Sequence, residues 1–188
     1  RHAMKAFVVG TLVGALALGG ARFAFAPLAP ATHYHANWAV FVDGERLDLS
    51  GDRYMEEVAA CGAAGSGLRP EDRVHMHQNN ADIVHVHHDG AAWGHLLANL
   101  DMAVNDDLLV LGDGTRLVAG DDGFRPVFIV NGLVVPSVHN RLIRSGDRLV
   151  ISWTDAEPQE VLAREFPQVA SDAEEYNQRM DPASCAGH

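Results

Sequence analysis

Residues 74–88 read VHMHQNNADIVHVHH and contain five of the eleven histidines of the 188-residue chain. Two short runs of β-favouring residues flank the turn-forming cluster QNNAD at residues 78–82, and this pattern predicts a β-hairpin. Side chains alternate between the two faces of a strand, so the apolar residues between the histidines share the opposite face. The predicted hairpin therefore places four imidazoles on one face: His75, His77, His85 and His87.

The register of this hairpin decides how close the histidines lie. A hairpin centred on Ala81 places His77 opposite His85. The next pair on the same face is His75 with His87. Directly opposed residues have Cβ atoms about 4.5–5.5 Å apart, so the prediction is two cross-strand imidazole pairs. A slip by one residue would turn the histidines to the other face.

Clustered neutral imidazoles are ligands that zinc and copper(II) prefer. A second His-x-His pair, His33 and His35, lies on one face of the strand predicted over residues 33–42. The alternative interpretation is a histidine-rich outer face of a sheet that contacts a partner chain. We predict a metal site of His75, His77, His85 and His87, with His33 and His35 as candidate further ligands.

Several catalytic and cofactor motifs are missing from the sequence. It contains no phosphate-binding glycine loop ahead of a helix, no Gly-x-Ser-x-Gly elbow and no Cys-x-x-Cys or Cys-x-x-Cys-His pair. No obvious general base accompanies the histidines, although a histidine-only metal site with an open position can activate water. We therefore predict a protein that is not an enzyme and that binds neither a nucleotide nor covalent haem.

The charge of the chain is uneven. The formal net charge is −11, and residues 1–30 hold three basic residues and no acidic one. The remainder holds 11 basic and 25 acidic residues, a net charge of −14. An acidic body argues against nucleic acid and against anionic lipid surfaces as partners. Metal ions and cationic protein surfaces are the partners it favours.

Residues 6–26 form an apolar segment interrupted only by Arg22. A helix of this length measures about 31 Å, close to the thickness of the bilayer core. A cleavable signal peptide is the alternative, with the small-x-small pattern at residues 24–26. Because the chain retains the segment, we expect an uncleaved single-pass inner-membrane anchor. We expect its basic start to lie in the cytoplasm and the body of the chain in the periplasm.

The remaining segments predict an α+β fold with mostly antiparallel hairpins. The expected order is an N-terminal transmembrane helix (1–26), a proline-rich linker (27–32), a β-rich histidine-containing domain (33–153) and a helical C-terminal strap (154–188). The hairpin, the helix predicted after it, the Asn131-Gly132 turn and the strand over residues 149–153 together resemble a β-grasp domain. The resemblance covers residues 74–153 and implies a ubiquitin-like arrangement of strands.

The chain has two cysteines, Cys61 and Cys185. Outside the cytoplasm an even number favours a disulfide. Closing a loop of this length would stabilise the fold by about 4–5 kcal/mol in the chain-entropy model. The alternative is a C-terminal copper-binding pair of Cys185 with His188.

Two functions fit these patterns. An anchor followed by a small acidic extrinsic domain resembles the minor subunits of bacterial respiratory or photosynthetic reaction-centre–antenna complexes. That resemblance implies a structural accessory subunit whose partners are other membrane subunits and, through residues 6–26, the lipid bilayer. The His-x-His pairs are similar to those of uncharacterised anchored periplasmic proteins, which favours the alternative of a tethered copper or zinc chaperone or buffer.

Overall fold

The computed structural model describes residues 32–56 and 73–178. Within these two ranges the chain forms ten strands, three α-helices and two 3-10 turns. The strands are β1 (Tyr34–Val42), β2 (Glu45–Arg46), β3 (Val74–His75), β4 (Ile83–Val86), β5 (Ala103–Val104), β6 (Leu108–Val110), β7 (Arg116–Val118), β8 (Arg125–Val130), β9 (Leu133–Val135) and β10 (Arg148–Thr154). The α-helices are α1 (Trp93–Asn99), α2 (Pro158–Arg164) and α3 (Ala173–Gln178), and the 3-10 turns are Asp52–Tyr54 and Phe166–Gln168.

The main sheet has the strand order β3-β4-β1-β10-β8-β9, with β2 paired to β1. The central pair, β1 and β10, is parallel, and every other pairing in this sheet is antiparallel. Both central strands are almost fully buried, as their apolar sequences require when a sheet is covered on both faces. Strands β5, β6 and β7 form a separate three-stranded sheet.

Alternation along β1 separates two apolar layers. Trp38 and Val40 point into the layer that contains α1. Ala39 and Phe41 point into the layer that contains Val161 of α2. His35 lies on the same face as Ala39, since strand side chains repeat every two residues. The first layer includes residues of β1, β3, β4 and α1 together with Met76, which follows β3: Ala36, Trp38, Val40, Val74, Met76, Val84, Val86, Trp93, Leu96 and Leu97.

The residues after β10 fold back over the histidine-bearing face of the sheet. Helix α3 packs against β1. The Asn37 side chain donates to Asp172 Oδ1 at 2.9 Å and accepts from the backbone N–H of Ala173 at 3.0 Å. The guanidinium of Arg148 donates to the carbonyl of Ala170 at 2.9 Å. These contacts hold α3 beside the strands that carry the histidines.

The predicted α+β class with a transmembrane helix is wrong. The described part of the chain is mostly β-sheet, and its α-helices span only seven, seven and six residues. Among the helices of residues 32–56 and 73–178, none combines the length and the apolar composition that a membrane span requires. The predicted anchor and most of the linker lie outside the described residues, as do Cys61, Cys185 and His188.

The β-grasp-like segment over residues 74–153 is corrected as well. Its strands do not close a sheet among themselves, because β1 lies between β4 and β10. Strand β1 precedes that segment in the sequence. The apolar pattern of β1 indicates a buried strand but carries no information on its neighbours, so the parallel pairing with β10 was not predicted.

Candidate metal centre

Strand β4 lies between β1 and β3, and this position gathers the histidines. His35 of β1 is the register partner of His85 on β4. His75 of β3 is the partner of the same residue on the other side. Three imidazoles therefore form one cross-strand row on the face opposite the α1 layer. His77 continues that face beyond the end of β3.

The hairpin register differs from the predicted one. His75 pairs with His85 and not with His87, so the centre of the hairpin is one residue earlier than predicted. Gln78 and Asn79 occupy the left-handed region at φ 61° and 54° and make the turn at that earlier point. The pairing shifts by two residues, which keeps every histidine on the predicted face.

Contacts between rings join the six histidines into one cluster. The centroids of His77 and His85 are 3.7 Å apart. His33 and His87 stack at 4.8 Å with an interplanar angle of 18°. His75 stacks on His87 at 4.9 Å. All six predicted ligands therefore share one surface of the sheet.

Among the described residues, three of these histidines form a group that could hold a metal ion: His33, His85 and His87. Their candidate ligand nitrogens all lie within 4.8 Å of one another. We name these three residues the outer trio. Ligand nitrogens around tetrahedral zinc are about 3.3–3.4 Å apart at Zn–N distances of 2.0–2.1 Å, so small side-chain rotations would close the group around an ion. His85 is buried, whereas the other two are half-buried.

Shorter contacts connect the outer trio to its neighbours. Nδ1 of His85 lies 2.9 Å from Nε2 of His35 and 3.1 Å from Nε2 of His77. Nδ1 of His35 in turn lies 2.9 Å from Oδ1 of Asn177 on α3. A ligand histidine commonly uses its second ring nitrogen in such a contact, which fixes the orientation of the ring.

Burial lowers the pKa of two histidines of the outer trio. It is the largest cause that lowers the pKa of His87 to about 3, followed by the neighbouring His75 and His33. Burial is also the main cause that holds the pKa of His85 far below its ordinary value. Neutral imidazole is the form that binds metals. The buried Nε2 of His87 has no hydrogen-bond partner among the described residues. Such a nitrogen is available to bind an ion.

The sequence identified the histidines of this site but not their grouping. Two members of the outer trio, His85 and His87, come from the four ligands predicted first. The third, His33, was a candidate further ligand. His75, His77 and His35 border the trio. Asn177 was missed, because an asparagine in a polar helical segment carries no local signal of a contact with a strand far away in the sequence.

No family model, curated protein or solved structure matches this chain. The functional assignment therefore depends on the geometry of the histidine cluster. This geometry defines a group of three histidines that could hold a metal ion.

Proposed function

We propose that the protein binds a divalent transition-metal ion, zinc or copper(II), through the outer trio, and that it acts as a metal chaperone or buffer. The observation that supports this proposal is the convergence of His33, His85 and His87 within 4.8 Å. Two segments that are far apart in the sequence, the residues at the start of β1 and those at the end of β4, bring these imidazoles together. A histidine-rich outer face without such a role would not require this convergence.

The donor set favours zinc and copper over other divalent ions. All three candidate ligands are imidazoles, and none is a carboxylate. Calcium and magnesium prefer oxygen ligands, whereas imidazole suits zinc and copper. Copper(II) exceeds zinc in intrinsic affinity for nitrogen sites, so availability would decide between the two ions.

The exposure of the trio favours exchange over a purely structural role. A structural zinc site is closed by four protein ligands. The outer trio supplies three, and His33 and His87 are half-buried. A fourth position on the open side can accept water or a ligand from a second molecule. This is the arrangement that a protein needs if it takes up and releases its ion.

The accessory-subunit function stays a prediction. It was based on residues 6–26 and on the polar tail, and the first of these segments lies outside the described residues. A metal ion at the histidine face is compatible with such a subunit. The accompanying prediction that the protein is not an enzyme also stays a prediction.

Calorimetric titration of the purified protein with zinc and with copper(II) tests the metal proposal. We expect one ion bound per protein molecule. His33→Gln and His87→Gln should each lower the metal affinity by tenfold or more. The matched control is His139→Gln, because His139 is exposed and lies outside the cluster. If neither ion binds, or if the control loses as much affinity as the trio variants, the proposal is wrong.

A further inference from the structure

One residue of the C-terminal helix α3 contacts the histidine cluster directly. Oδ1 of Asn177 accepts a hydrogen bond from the backbone N–H of His35 at 2.8 Å. The same oxygen lies 2.9 Å from the ring nitrogen Nδ1 of that histidine. Backbone and ring are therefore held by one amide oxygen, from a residue 142 positions later in the chain.

The orientation of the Asn177 amide is fixed by its other contacts. Nδ2 lies 3.0 Å from Oε2 of Glu174 and 2.9 Å from Oγ of Ser145. A carboxylate can only accept, so the group that faces Glu174 must be the NH2. The carbonyl oxygen consequently faces His35. Since that oxygen is only an acceptor, Nδ1 of His35 must carry the ring proton.

The tautomer of His35 fixes the tautomer of His85. A neutral imidazole has one ring proton, so Nε2 of His35 carries a lone pair and accepts. The nitrogen 2.9 Å away from it, Nδ1 of His85, must then donate. Nε2 of His77 lies 3.1 Å from the same donor and accepts the second branch of that hydrogen bond.

The remaining nitrogen of His85, Nε2, is then left with its lone pair. We propose that Asn177 is a positioning residue that sets the tautomers of His35 and His85, so that Nε2 of His85 is presented as a metal ligand. The tautomers themselves follow from the hydrogen bonds, whereas the effect on metal affinity rests on the proposed function. Outer partners of this kind commonly change metal affinity by 10–100-fold.

The tautomers can be measured without any metal. Long-range 1H–15N correlation spectra of the metal-free protein distinguish a ring protonated at Nδ1 from one protonated at Nε2. We expect both His35 and His85 to carry the proton on Nδ1, although free histidine favours Nε2. Nε2 protonation of either ring in the unmodified protein would overturn the inference.

Substitution of Asn177 tests the direction of the effect. Asn177→Leu removes the acceptor but keeps the branching and the number of side-chain heavy atoms, and we expect His35 to change to the Nε2-protonated form and His85 to follow. The control is Tyr176→Phe, which removes the hydrogen bond of the same helix to Asn80, 3.1 Å long, and leaves the amide intact. A shift of tautomers in the control variant alone would contradict the positioning role.

Metal affinity provides the second measurement. We expect a 10–100-fold weaker affinity in Asn177→Leu. The double variant Asn177→Asp with Glu174→Gln exchanges donor and acceptor in the hydrogen bond between residues 174 and 177. It retains an acceptor for His35, so it should recover most of the affinity. An equal loss in the double variant would overturn the inference.

The two proposals fail in different ways. If the tautomers are as expected but the protein binds neither zinc nor copper, the proposed metal function is wrong and the positioning role of Asn177 stands. If the outer trio binds a metal but His35 is protonated at Nε2, the positioning role of Asn177 is wrong and the proposed metal-binding function stands.

Discussion

The imidazoles of His35 and His85 meet across neighbouring strands, with Nε2 of the first 2.9 Å from Nδ1 of the second. Fifty residues separate them in the sequence. Their contact depends on β1 lying directly beside β4, in the register that makes these two residues partners. Because Asn177 holds the far side of His35, the contact also connects the metal centre to the C-terminal helix.

Replacement of His85 should be the most damaging change to metal binding. This residue belongs to the outer trio and is also the one that the neighbouring rings orient. We expect His85→Gln to abolish binding of zinc and copper in calorimetric titrations. His77→Gln should weaken binding by about 10–100-fold without abolishing it, because His77 contacts the trio only from outside. Equal losses in the two variants would show that His77 is itself a ligand.

Gly94 in α1 should not tolerate a side chain. A Cβ atom there would lie 2.5 Å from the carbonyl oxygen of His139 and 2.8 Å from its Nδ1. Glycine-to-alanine changes inside helices usually stabilise by about 0.5–1 kcal/mol, but here the clash should reverse the sign. We expect Gly94→Ala to destabilise by about 2 kcal/mol in urea unfolding. Gly51→Ala is the control, since nothing lies within 4 Å of its added Cβ, and an unchanged stability of Gly94→Ala would contradict the close packing.

Glu165 should reduce stability at neutral pH. Its carboxyl is buried, and burial raises the pKa of Glu165 above the ordinary value. The unfolded chain then releases this proton at lower pH than the folded one. The contribution to stability is therefore fully present below the ordinary pKa and declines as pH rises through the folded value. We expect Glu165→Gln to be more stable than the unmodified protein at pH 7 by about 1 kcal/mol.

Unfolding measured between pH 4 and pH 8 checks this prediction. The difference between Glu165→Gln and the unmodified protein should grow with pH and then level off. The control is Glu160→Gln, because Glu160 is exposed and pairs with Arg164 at 2.8 Å on the same helix. A difference that is constant across the range would mean that burial of Glu165 does not govern its ionisation.

Local patterns in the sequence predicted local features. The turn at Asn131-Gly132 is confirmed: both residues have positive φ, and the turn joins the paired strands β8 and β9. The helix predicted after the histidine hairpin is confirmed as α1, whose Trp93, Leu96 and Leu97 are buried. The shared face of the histidines followed from strand alternation alone. Each of these features depends on residues only a few positions apart.

Non-local features were not predicted, for physical reasons. The QNNAD turn can reverse at more than one point, and the two candidate registers keep the same face apolar. Burial patterns therefore do not distinguish a pairing of His75 with His85 from one with His87. The neighbours of β1 and the contact of Asn177 with His35 depend on how distant segments pack, which no local spacing encodes.

A change in the core beneath the histidines should lower the stability of the fold without changing metal affinity. Val86 on β4 is fully buried on the α1 side, opposite the imidazoles, and pairs with Val74 and Tyr34. Val86→Ala removes two methyl groups and should cost about 2 kcal/mol in urea unfolding. Because strand alternation keeps its neighbours His85 and His87 on the other face, metal affinity at low temperature should change by less than about threefold. A much larger loss of affinity would mean that the packing of β4, and not the hydrogen bonds of its histidines, limits the geometry of the trio.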